Sequence, residues 1–277
     1  MSRKSVVVEL QGGLGNQLFG WAAGYTLSKK LGCELILDKS RLHQRGYQLD
    51  SFKFGLDVKT KMRPVYFSKL IKNIPQSEVF QEETFEFDKK FLEIESPKVL
   101  RGYFQSWKYH LQYAEQIYSL AQNLAHESDQ LKHLQSNYDF KELIAVHVRR
   151  GDYTKLEDYH GLLNSEYYRN ALAKLKILDQ APQKIVVFSD DTEEARKVVP
   201  GAVLYVGSKE LSSPAENLVL MSRCKALVGA NSSFSLWAGM IMGSKNGIQL
   251  FPEPWFTKSG LSDRDLLPQE FIRIAKK

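Results

Sequence analysis

Two arginines that follow a short apolar segment have the side-chain chemistry to hold an anion. Residues 143–148 are apolar and β-rich, and Arg149 and Arg150 follow them directly. Alternation along a strand places His147 and Arg149 on one face, at the end where α/β sheets bind ligands. A guanidinium clamps a phosphate through two hydrogen bonds and keeps its charge there. We therefore predict a phosphate site, with a structural ion pair to Asp152 as the alternative.

A second group of residues follows the apolar segment 226–228 and opens a helical pattern. It comprises Asn231, Ser232, Ser233, Phe234 and Ser235. The first N–H groups of a helix have no partner inside the helix, and small hydroxyl side chains beside them form an uncharged cradle for a pyrophosphate. Helix capping alone requires one serine rather than three. The pattern therefore predicts a phosphate-binding helix start that complements Arg149.

A glycine-rich turn near the N-terminus connects a predicted strand with a predicted helix. Gly12, Gly13 and Gly15 allow backbone N–H groups to approach an anion or a sugar closely. Gly13 and Gly15 begin a dinucleotide fingerprint, but Leu18 occupies its third glycine position. Asp38 ends the next strand, where dinucleotide enzymes place a ribose-binding carboxylate. An NAD-dependent oxidoreductase is therefore the competing interpretation, whereas the lack of a G-K-[ST] ending disfavours an NTPase.

Three acidic residues are further candidates for ligand contacts. Asp190 and Asp191 end a predicted strand just before a helix. Asp191 suits a helix N-cap as well as a ligand contact, so Asp190 is the stronger candidate. Glu216 opens a later helix, where a carboxylate also interacts favourably with the helix dipole.

The elements that position these residues alternate between apolar β-rich runs and segments of helical spacing, which is typical of an α/β fold with a mostly parallel sheet. The first half is predicted to form strands over 6–10 and 34–38, a helix over 16–31, an irregular and partly inserted region over 51–110, and an amphipathic helix with a polar connector over 111–138. In the second half predicted strands (143–148, 184–188, 202–205 and 226–228) alternate with predicted helices (165–178, 192–199, 215–224 and 234–242). The restart near residue 140 predicts two nucleotide-binding-type lobes, 1–140 and 141–277, with a cleft between them.

Composition excludes several classes of protein. The net charge is +6, but lysine and arginine are spread over both halves without a basic block, which disfavours a nucleic-acid partner. Cys33 and Cys224 lie far apart, so no thiol-based metal or redox site is expected. The chain has no apolar run of membrane-spanning length and no signal-peptide pattern. We expect a cytoplasmic protein, and its mild basicity is compatible with peripheral contact with anionic lipids at the inner membrane.

The motifs together resemble those of the bacterial galactoside α-1,2-fucosyltransferases of glycosyltransferase family 11. The resemblance rests on GGLGNQLF, HVRRGDY, FSDD and ENLVLMSRCKALVGANSSFS in this order, and it spans nearly the whole chain. The H-x-R element also looks like that of α-1,6-fucosyltransferases and protein O-fucosyltransferases, which share GDP-fucose as donor. The sequence departs from the family pattern where Gly20 follows Phe19 and where Leu236 precedes Trp237. Both departures concern the acceptor pocket rather than the phosphate site.

The resemblance implies a GT-B-like fold, with residues 1–140 on the acceptor side and residues 141–277 binding the GDP-sugar. It implies an inverting transfer of L-fucose from GDP-fucose to a hydroxyl of a glycan, O2 of a terminal β-galactose. The acceptor is then a galactose-terminated oligosaccharide or glycolipid. No metal and no other cofactor are implied.

The same resemblance assigns roles to individual residues. Arg149, with the N–H groups near Ser232, would stabilise the negative charge that develops on the β-phosphate. His147 would support the nucleotide or the geometry of Arg149, and Asn16 would orient the sugar, the pyrophosphate or the attacking hydroxyl. The donor-binding residues implied are Gly13, Gly15, Arg150, Asp152, Tyr153, Asp190, Glu216, Asn231, Ser232, Ser233, Phe234 and Ser235, with Asp190 and Glu216 assigned to the guanosine.

Two questions stay open at this point. The general base is undecided among Asp38, His43 and Asp152. A related enzyme with a different sugar donor is a further alternative. A metal-dependent GT-A transferase would carry a D-x-D motif on a loop after a strand, but the literal D-x-D, Asp263–Asp265, lies in the polar C-terminal tail.

Overall fold

The computed structural model describes residues 5–42, 46–54, 60–63, 75–151, 161–179 and 184–276. The chain divides into two compact units, and each has its own β-sheet. The first unit comprises Met1–Ala125 with Arg264–Leu267, and the second comprises His126–Asp263 with Pro268–Lys277. The predicted α/β class with two Rossmann-like sheets is confirmed.

The first unit is built on a five-stranded parallel sheet in the order β3-β2-β1-β5-β4. Its strands are β1 (Ser5–Glu9), β2 (Glu34–Asp38), β3 (Thr60–Arg63), β4 (Val79–Gln81) and β5 (Val99–Arg101). Its α-helices are α1 (Leu14–Leu31) and α2 (Ala114–Leu120), and 3-10 turns occur at Leu49–Ser51, Gln76–Glu78, Lys89–Glu93, Trp107–Tyr109 and Leu111–Tyr113.

Helix α1 packs closely on the first sheet because its sequence is apolar on nearly every side. All residues of α1 from Leu14 to Ser28 are buried except Asn16. A Cβ atom at Gly24 would lie 2.4 Å from a methyl group of Val8 on β1, so only glycine permits this approach. The helix ends at Gly32, which has a left-handed backbone (φ 61°). The burial of α1 therefore leaves Asn16 as the position of this stretch that reaches solvent.

The second unit is built on a six-stranded parallel sheet in the order β11-β10-β9-β6-β7-β8. Its strands are β6 (Leu143–Val148), β7 (Lys184–Ser189), β8 (Leu204–Val206), β9 (Ala226–Val228), β10 (Ile248–Glu253) and β11 (Ile272–Ala275). Its helices are α3 (Asp129–Asn137), α4 (Ser165–Leu178), α5 (Thr192–Val198), α6 (Pro214–Ser222) and α7 (Ser233–Gly243), with a 3-10 turn at Phe140–Glu142. Strand β6 is buried along its whole length, as expected of the centre of a parallel sheet.

The strand order creates a topological switch point in each sheet. In the first sheet the chain runs from β1 outward through β2 and β3. It then crosses to the other side of β1, forms the edge strand β4 and returns with β5, which lies between β4 and β1. In the second sheet it runs from β6 through β7 and β8, and then returns beside β6 with β9. Loops that leave the carboxyl ends of two such neighbouring strands diverge and open a crevice, which is where α/β sheets bind ligands. We call these places the first crevice (after β1 and β5) and the second crevice (after β6 and β9).

Two of the sequence-based predictions need correction. Residues 111–138 form two separate helices, α2 and α3, because Ser128 caps α3 by accepting the N–H of Leu131 and so begins a new helix. The division between the units falls after Ala125 rather than near residue 140. The physical reason is that Ser128 also hydrogen-bonds to Glu216, which ties α3 to the second unit.

Candidate functional site

The second crevice contains an arginine held in place by a carboxylate. Arg149 leaves the end of β6, and its Nη1 lies 2.8 Å from Oδ2 of Asp190, which follows β7. The other oxygen of Asp190 accepts the backbone N–H of Arg150 at 2.8 Å. A Cβ atom at Gly151 would lie 2.4 Å from Asp190 Oδ2, so the turn after the arginines requires glycine there. The Arg149 side chain is 26% exposed, and it therefore presents a positioned guanidinium at the sheet edge.

His147 lies deep in the same crevice and is neutral. Its ring is buried, and the ring centroid lies 5.6 Å from that of Phe234 in the first turn of α7. Burial, together with the nearby charge of Arg149, lowers the pKa of His147 to about 3. Its Nδ1 atom is buried without a hydrogen-bond partner among the described residues. His147 can therefore position groups in the crevice, but at neutral pH it carries no charge.

The start of α7 forms the other wall of the second crevice. Ser232 is the N-cap, and its hydroxyl accepts the N–H of Phe234. The hydroxyl of Ser235 is buried and bonds to the backbone of Ala230, which fixes the turn rather than a ligand. Asn231 donates to the carbonyl of Trp255 at 3.2 Å. Ser233 and Phe234 are the half-buried positions of the turn, so Ser233 is the serine best placed to meet a ligand.

Close packing fixes where this turn lies. A Cβ atom at Gly229 would lie 2.1 Å from the ring of Phe251 on β10, so the chain passes directly against that ring. The hydroxyl of Tyr167 on α4 donates to the carbonyl of Gly229 at 2.6 Å. The neighbouring Tyr168 donates to the carbonyl of His147 at 3.2 Å. The same helix thus anchors the loops after β6 and β9.

The remaining acidic candidates of the second unit have structural partners. Asp191 is the N-cap of α5 and accepts the N–H of Glu194 at 3.0 Å. Of the two roles that the sequence allowed for Asp191, the structure shows the capping role. Both carboxylate oxygens of the buried Glu216 accept hydrogen bonds from Ser128, through its N–H and its hydroxyl. Arg150 is buried. Its charge opposes the rise that burial causes in the pKa of Tyr168. Guanosine contacts of Asp190 and Glu216 stay predictions.

The first crevice contains amides where the second contains charges. Gly12 has φ +74°, and a Cβ atom there would lie 2.4 Å from Nδ2 of Asn16. Oδ1 of Asn16 accepts a hydrogen bond of 2.8 Å from Gln105, which follows β5. The buried Gln17 donates to the carbonyl groups of Gly12 and Gly46. The glycine loop, with Gly13 as the N-terminal boundary of α1 and Gly15 buried in its first turn, is therefore held from both sides.

A buried ion pair lies at the same sheet edge. Glu9, the last residue of β1, receives two hydrogen bonds from Arg101 at 3.0 and 2.9 Å and forms an ion pair of 2.9 Å with Arg41. Asp38 is buried and accepts the N–H of Ser40 through Oδ1, while its Oδ2 has no partner among the described residues. This network joins the ends of β1, β2 and β5.

Three of the predicted candidates, His43, Asp152 and Tyr153, lie outside the described residues. The D-x-D acids have partners within the protein, because Asp263 accepts the N–H of Trp255 and Asp265 pairs with Lys108 and the N–H of Phe87. Across the described residues, no three or more His, Cys, Asp or Glu side chains are grouped as a metal site would require. No described helix is long and apolar enough to cross a membrane.

Sequence reasoning missed the residues of the first crevice that follow β4 and β5. Gln105, Tyr103 and Glu82 lie in the region that has no clear sequence period, and both strands are only three residues long. The available signal was G-Y-F-Q, which follows the apolar pair Val99–Leu100 after one arginine and is again a turn that follows a strand.

Comparison of the sequence with known families gives a match over nearly the whole chain. The model of the family described as "Glycosyl transferase family 11" matches residues 2–274. An α-1,2-colitosyltransferase of Escherichia coli is 29% identical, covering 98% of this chain and 99% of that protein. The O-antigen biosynthesis glycosyltransferase WbnK of E. coli is 27% identical, covering 91% and 95%. Galactoside α-(1,2)-fucosyltransferase 1 of Alouatta belzebul is 27% identical, covering 56% of this chain and 46% of that protein.

Solved structures share the fold. The NodZ α-1,6-fucosyltransferase, in crystals soaked with GDP-fucose, superposes with a TM-score of 0.53 at 17% identity, covering 86% of this chain and 93% of that one. Arabidopsis thaliana FUT1 in complex with GDP gives a TM-score of 0.53 at 14% identity, covering 96% and 74%. The predicted GT-B-like fold class is therefore confirmed.

Proposed function

This chain belongs to glycosyltransferase family 11, and on that premise we propose that it transfers L-fucose from GDP-fucose to a hydroxyl of a galactose-terminated glycan. The observation that carries the proposal is the second crevice. There Arg149, fixed by Asp190, and the capped start of α7 follow neighbouring strands at a topological switch point. A preorganised cation beside a helix start is suited to a pyrophosphate.

The proposed chemistry depends on stabilising the leaving group. When the bond between fucose and GDP breaks, negative charge develops on the β-phosphate. The Arg149 guanidinium and the N–H groups near Ser233 would receive that charge, in the role that a divalent metal has in other transferases. Because Asp190 holds Arg149 in place beforehand, little reorganisation is needed at the moment of reaction. The neutral His147 adds no competing charge and supports the position of Arg149.

We assign the first crevice to the acceptor side. Asn16, oriented by Gln105, would hold the sugar or the attacking hydroxyl, and the reaction would invert the configuration at the fucose. The candidates for the general base are still Asp38, His43 and Asp152. Of these, Asp38 lies in the described structure and has one carboxylate oxygen without a partner there.

A second donor has a specific observation in its favour. The E. coli relative that covers 98% of this chain is named an α-1,2-colitosyltransferase. Colitose is fucose without the hydroxyl at C3, so one pyrophosphate site can serve both GDP-sugars. The choice between them depends on whether a polar group of the site is left unpaired when that hydroxyl is missing. An α-1,2 linkage to galactose is proposed for either donor.

GDP release measured in the presence of EDTA tests this function. GDP-fucose and GDP-colitose are supplied separately, each with and without lactose or N-acetyllactosamine. Release from GDP-fucose that the acceptor stimulates, and that EDTA does not reduce, is the expected result. A preference for GDP-colitose would change the donor, and loss of activity in EDTA would contradict the metal-free mechanism. Absence of both release and GDP binding would overturn the proposal.

The setting of the reaction is also part of the proposal. We propose a cytoplasmic enzyme that acts on a free or lipid-linked glycan, with peripheral contact at the inner membrane and no nucleic-acid partner. Fractionation of cells that produce the protein, followed by a salt wash of the membranes, tests this, because electrostatic attachment is released by salt.

A further inference from the structure

The first crevice contains an aromatic pair that the transfer chemistry above does not use. Tyr103 is 36% exposed although it is a large aromatic residue. Its ring is nearly parallel to that of Phe85, with an interplanar angle of 22° and a centroid distance of 6.2 Å. Pockets for small molecules are typically lined by aromatic rings beside a few polar groups that fix the orientation of the ligand.

The place of Tyr103 in the fold connects it to the predicted catalytic loop. Tyr103 follows β5, which is the neighbour of β1 at the switch point of the first sheet. Two residues later, Gln105 donates a hydrogen bond of 2.8 Å to Oδ1 of Asn16. Because Oδ1 is the acceptor in this bond, the Nδ2 group of Asn16 is the donor left to face other groups. Tyr103 and the oriented amide donor therefore lie on the chain segments that leave two neighbouring strands, β5 and β1, at the first crevice.

The turn that carries Tyr103 is fixed by its neighbours. Phe104 has φ +53°, which is rare for a bulky residue, and its side chain is fully buried. Its ring packs edge-on against Tyr109 at 5.2 Å. Oε2 of Glu82 accepts the N–H groups of both Tyr103 and Phe104, at 2.7 and 2.8 Å. Backbone strain held by such contacts is typical of functional sites, because it presets the position of a side chain.

We propose that Tyr103 is the platform on which the terminal sugar of the acceptor stacks. One face of β-galactose presents the C–H groups of C3, C4 and C5, which are weakly positive, whereas the face of an aromatic ring is negative. Phe85 supports the ring from one side, and Asn16 supplies a donor for a sugar hydroxyl. This inference rests on the proposed function and adds to it the residue that recognises the acceptor.

The test compares substitutions of Tyr103 by their effect on acceptor and donor separately. In Tyr103→Ala, the KM for lactose should rise about tenfold, while the KM for GDP-fucose and GDP release without acceptor stay at wild-type values. Tyr103→Phe keeps the ring and should keep the wild-type KM for lactose. Tyr138→Ala is the matched control, because Tyr138 is also a tyrosine beside an aromatic ring, that of Phe140, but it belongs to the second unit.

A binding measurement separates this inference from the proposed function. Saturation-transfer NMR with lactose does not require turnover, and Tyr103→Ala should lose the signal that the wild-type protein and Tyr103→Phe retain. An unchanged KM for lactose in Tyr103→Ala overturns the platform even if the wild-type enzyme is active. Equal losses for lactose and GDP-fucose, with a lower melting temperature, also overturn it, since they indicate a structural role. A wild-type protein that binds lactose by NMR but releases no GDP from GDP-fucose would contradict the proposed function and not the platform.

Discussion

The two crevices of this protein lie at equivalent places in two parallel sheets, but they are built from different chemistry. In the second crevice a guanidinium, a carboxylate and a capped helix start follow β6, β7 and β9, and α4 anchors the turn after β9. In the first crevice a glycine loop, an amide pair and an aromatic turn meet beside a strand of three residues. Both crevices therefore contain a pair of a carboxylate and a guanidinium, and the first adds oriented amides and an aromatic turn.

The difference follows from what each crevice is proposed to bind. A pyrophosphate carries formal charge, so a fixed cation and N–H dipoles can bind it whichever sugar is attached to it. A neutral sugar offers hydroxyl groups and a C–H face, so its recognition depends on precisely positioned amides and rings. The backbone of the first crevice contains left-handed residues at Gly12 and Phe104 that such positioning requires. Substitutions in the two crevices should consequently produce different kinetic signatures.

The largest effect is expected for Arg149→Ala. Turnover at saturating GDP-fucose should fall by about 10²-fold or more, since one preorganised donor to the leaving group is lost. GDP release at saturating GDP-fucose, sampled at fixed times, measures this turnover. Arg196→Ala, which removes an exposed arginine of the same unit, is the control and should leave turnover near the wild-type value. Near-wild-type turnover in Arg149→Ala would remove this residue from the mechanism.

A smaller effect of a different kind is expected for Asn16→Ala. Turnover should fall about tenfold, as expected for the loss of one hydrogen bond, while the affinity for GDP stays largely intact. Calorimetric titration with GDP and GDP-release kinetics measure the two quantities. Asn123→Ala, at an exposed asparagine of the same unit, serves as the control. If GDP binding collapsed in Asn16→Ala, the first crevice would bind the nucleotide and the assignment of the two crevices would be wrong.

A matched pair of glycine substitutions tests whether the shape of the first crevice matters for activity. Gly12 and Gly32 flank the two ends of α1, and both have positive φ, so alanine at either position should cost about 1 kcal/mol of folding free energy. Only at Gly12 would the new Cβ meet Asn16, whereas nothing lies within 4 Å at Gly32. We expect a several-fold loss of turnover in Gly12→Ala alone, with similar shifts in urea denaturation for both. Equal activities would show that the position of Asn16 is not critical.

The smallest effect on turnover belongs to the last prediction, which concerns the pH dependence of folding. Burial raises the pKa of Glu82 from 4.5 to about 7, against the opposing effect of the Phe104 and Tyr103 amides. A raised carboxyl pKa means that the folded protein keeps this proton longer than the unfolded chain does. The stabilisation from Glu82 is therefore complete below pH 4.5 and is lost as the pH rises through about 7, by on the order of 3 kcal/mol.

Glu82→Gln should remove this loss, so that its unfolding free energy relative to that of the wild-type protein rises by about 2 kcal/mol between pH 5 and pH 8. Chemical denaturation at the two pH values measures it. Glu83→Gln removes the same charge at an exposed neighbouring position and should retain the wild-type slope. An identical slope in Glu82→Gln would mean that Glu82 does not titrate in this range. His147 contributes a change of the opposite sign in this range, because its pKa is about 3 in the folded protein and lies near 6.5 in the unfolded chain, so the variant is compared with the wild-type protein at each pH.

Periodicity located the elements of the second unit well. The predicted strands over 143–148 and 226–228 and the predicted helix over 165–178 match β6, β9 and α4. These segments have long apolar runs or a clear helical face, so local sequence is sufficient to define them. Strands β10 and β11 were not predicted, and β3, β4 and β5 lie in the region expected to be irregular. Strands of three or four residues are too short for a period to show. Their pairing makes them strands, since β3 pairs with β2, β5 with β1 and β4 with β5.

The sequence by itself determined the family, the α/β class and the motifs of both crevices, because glycines, arginines and capping serines carry their chemistry in their residue type and spacing. Only the tertiary structure decided which partner each of these residues takes. Asp190 holds Arg149, Glu216 holds Ser128, and Gln105 orients Asn16. These contacts join residues from separate strands and helices. They depend on strand order and packing, which no local pattern of residues encodes.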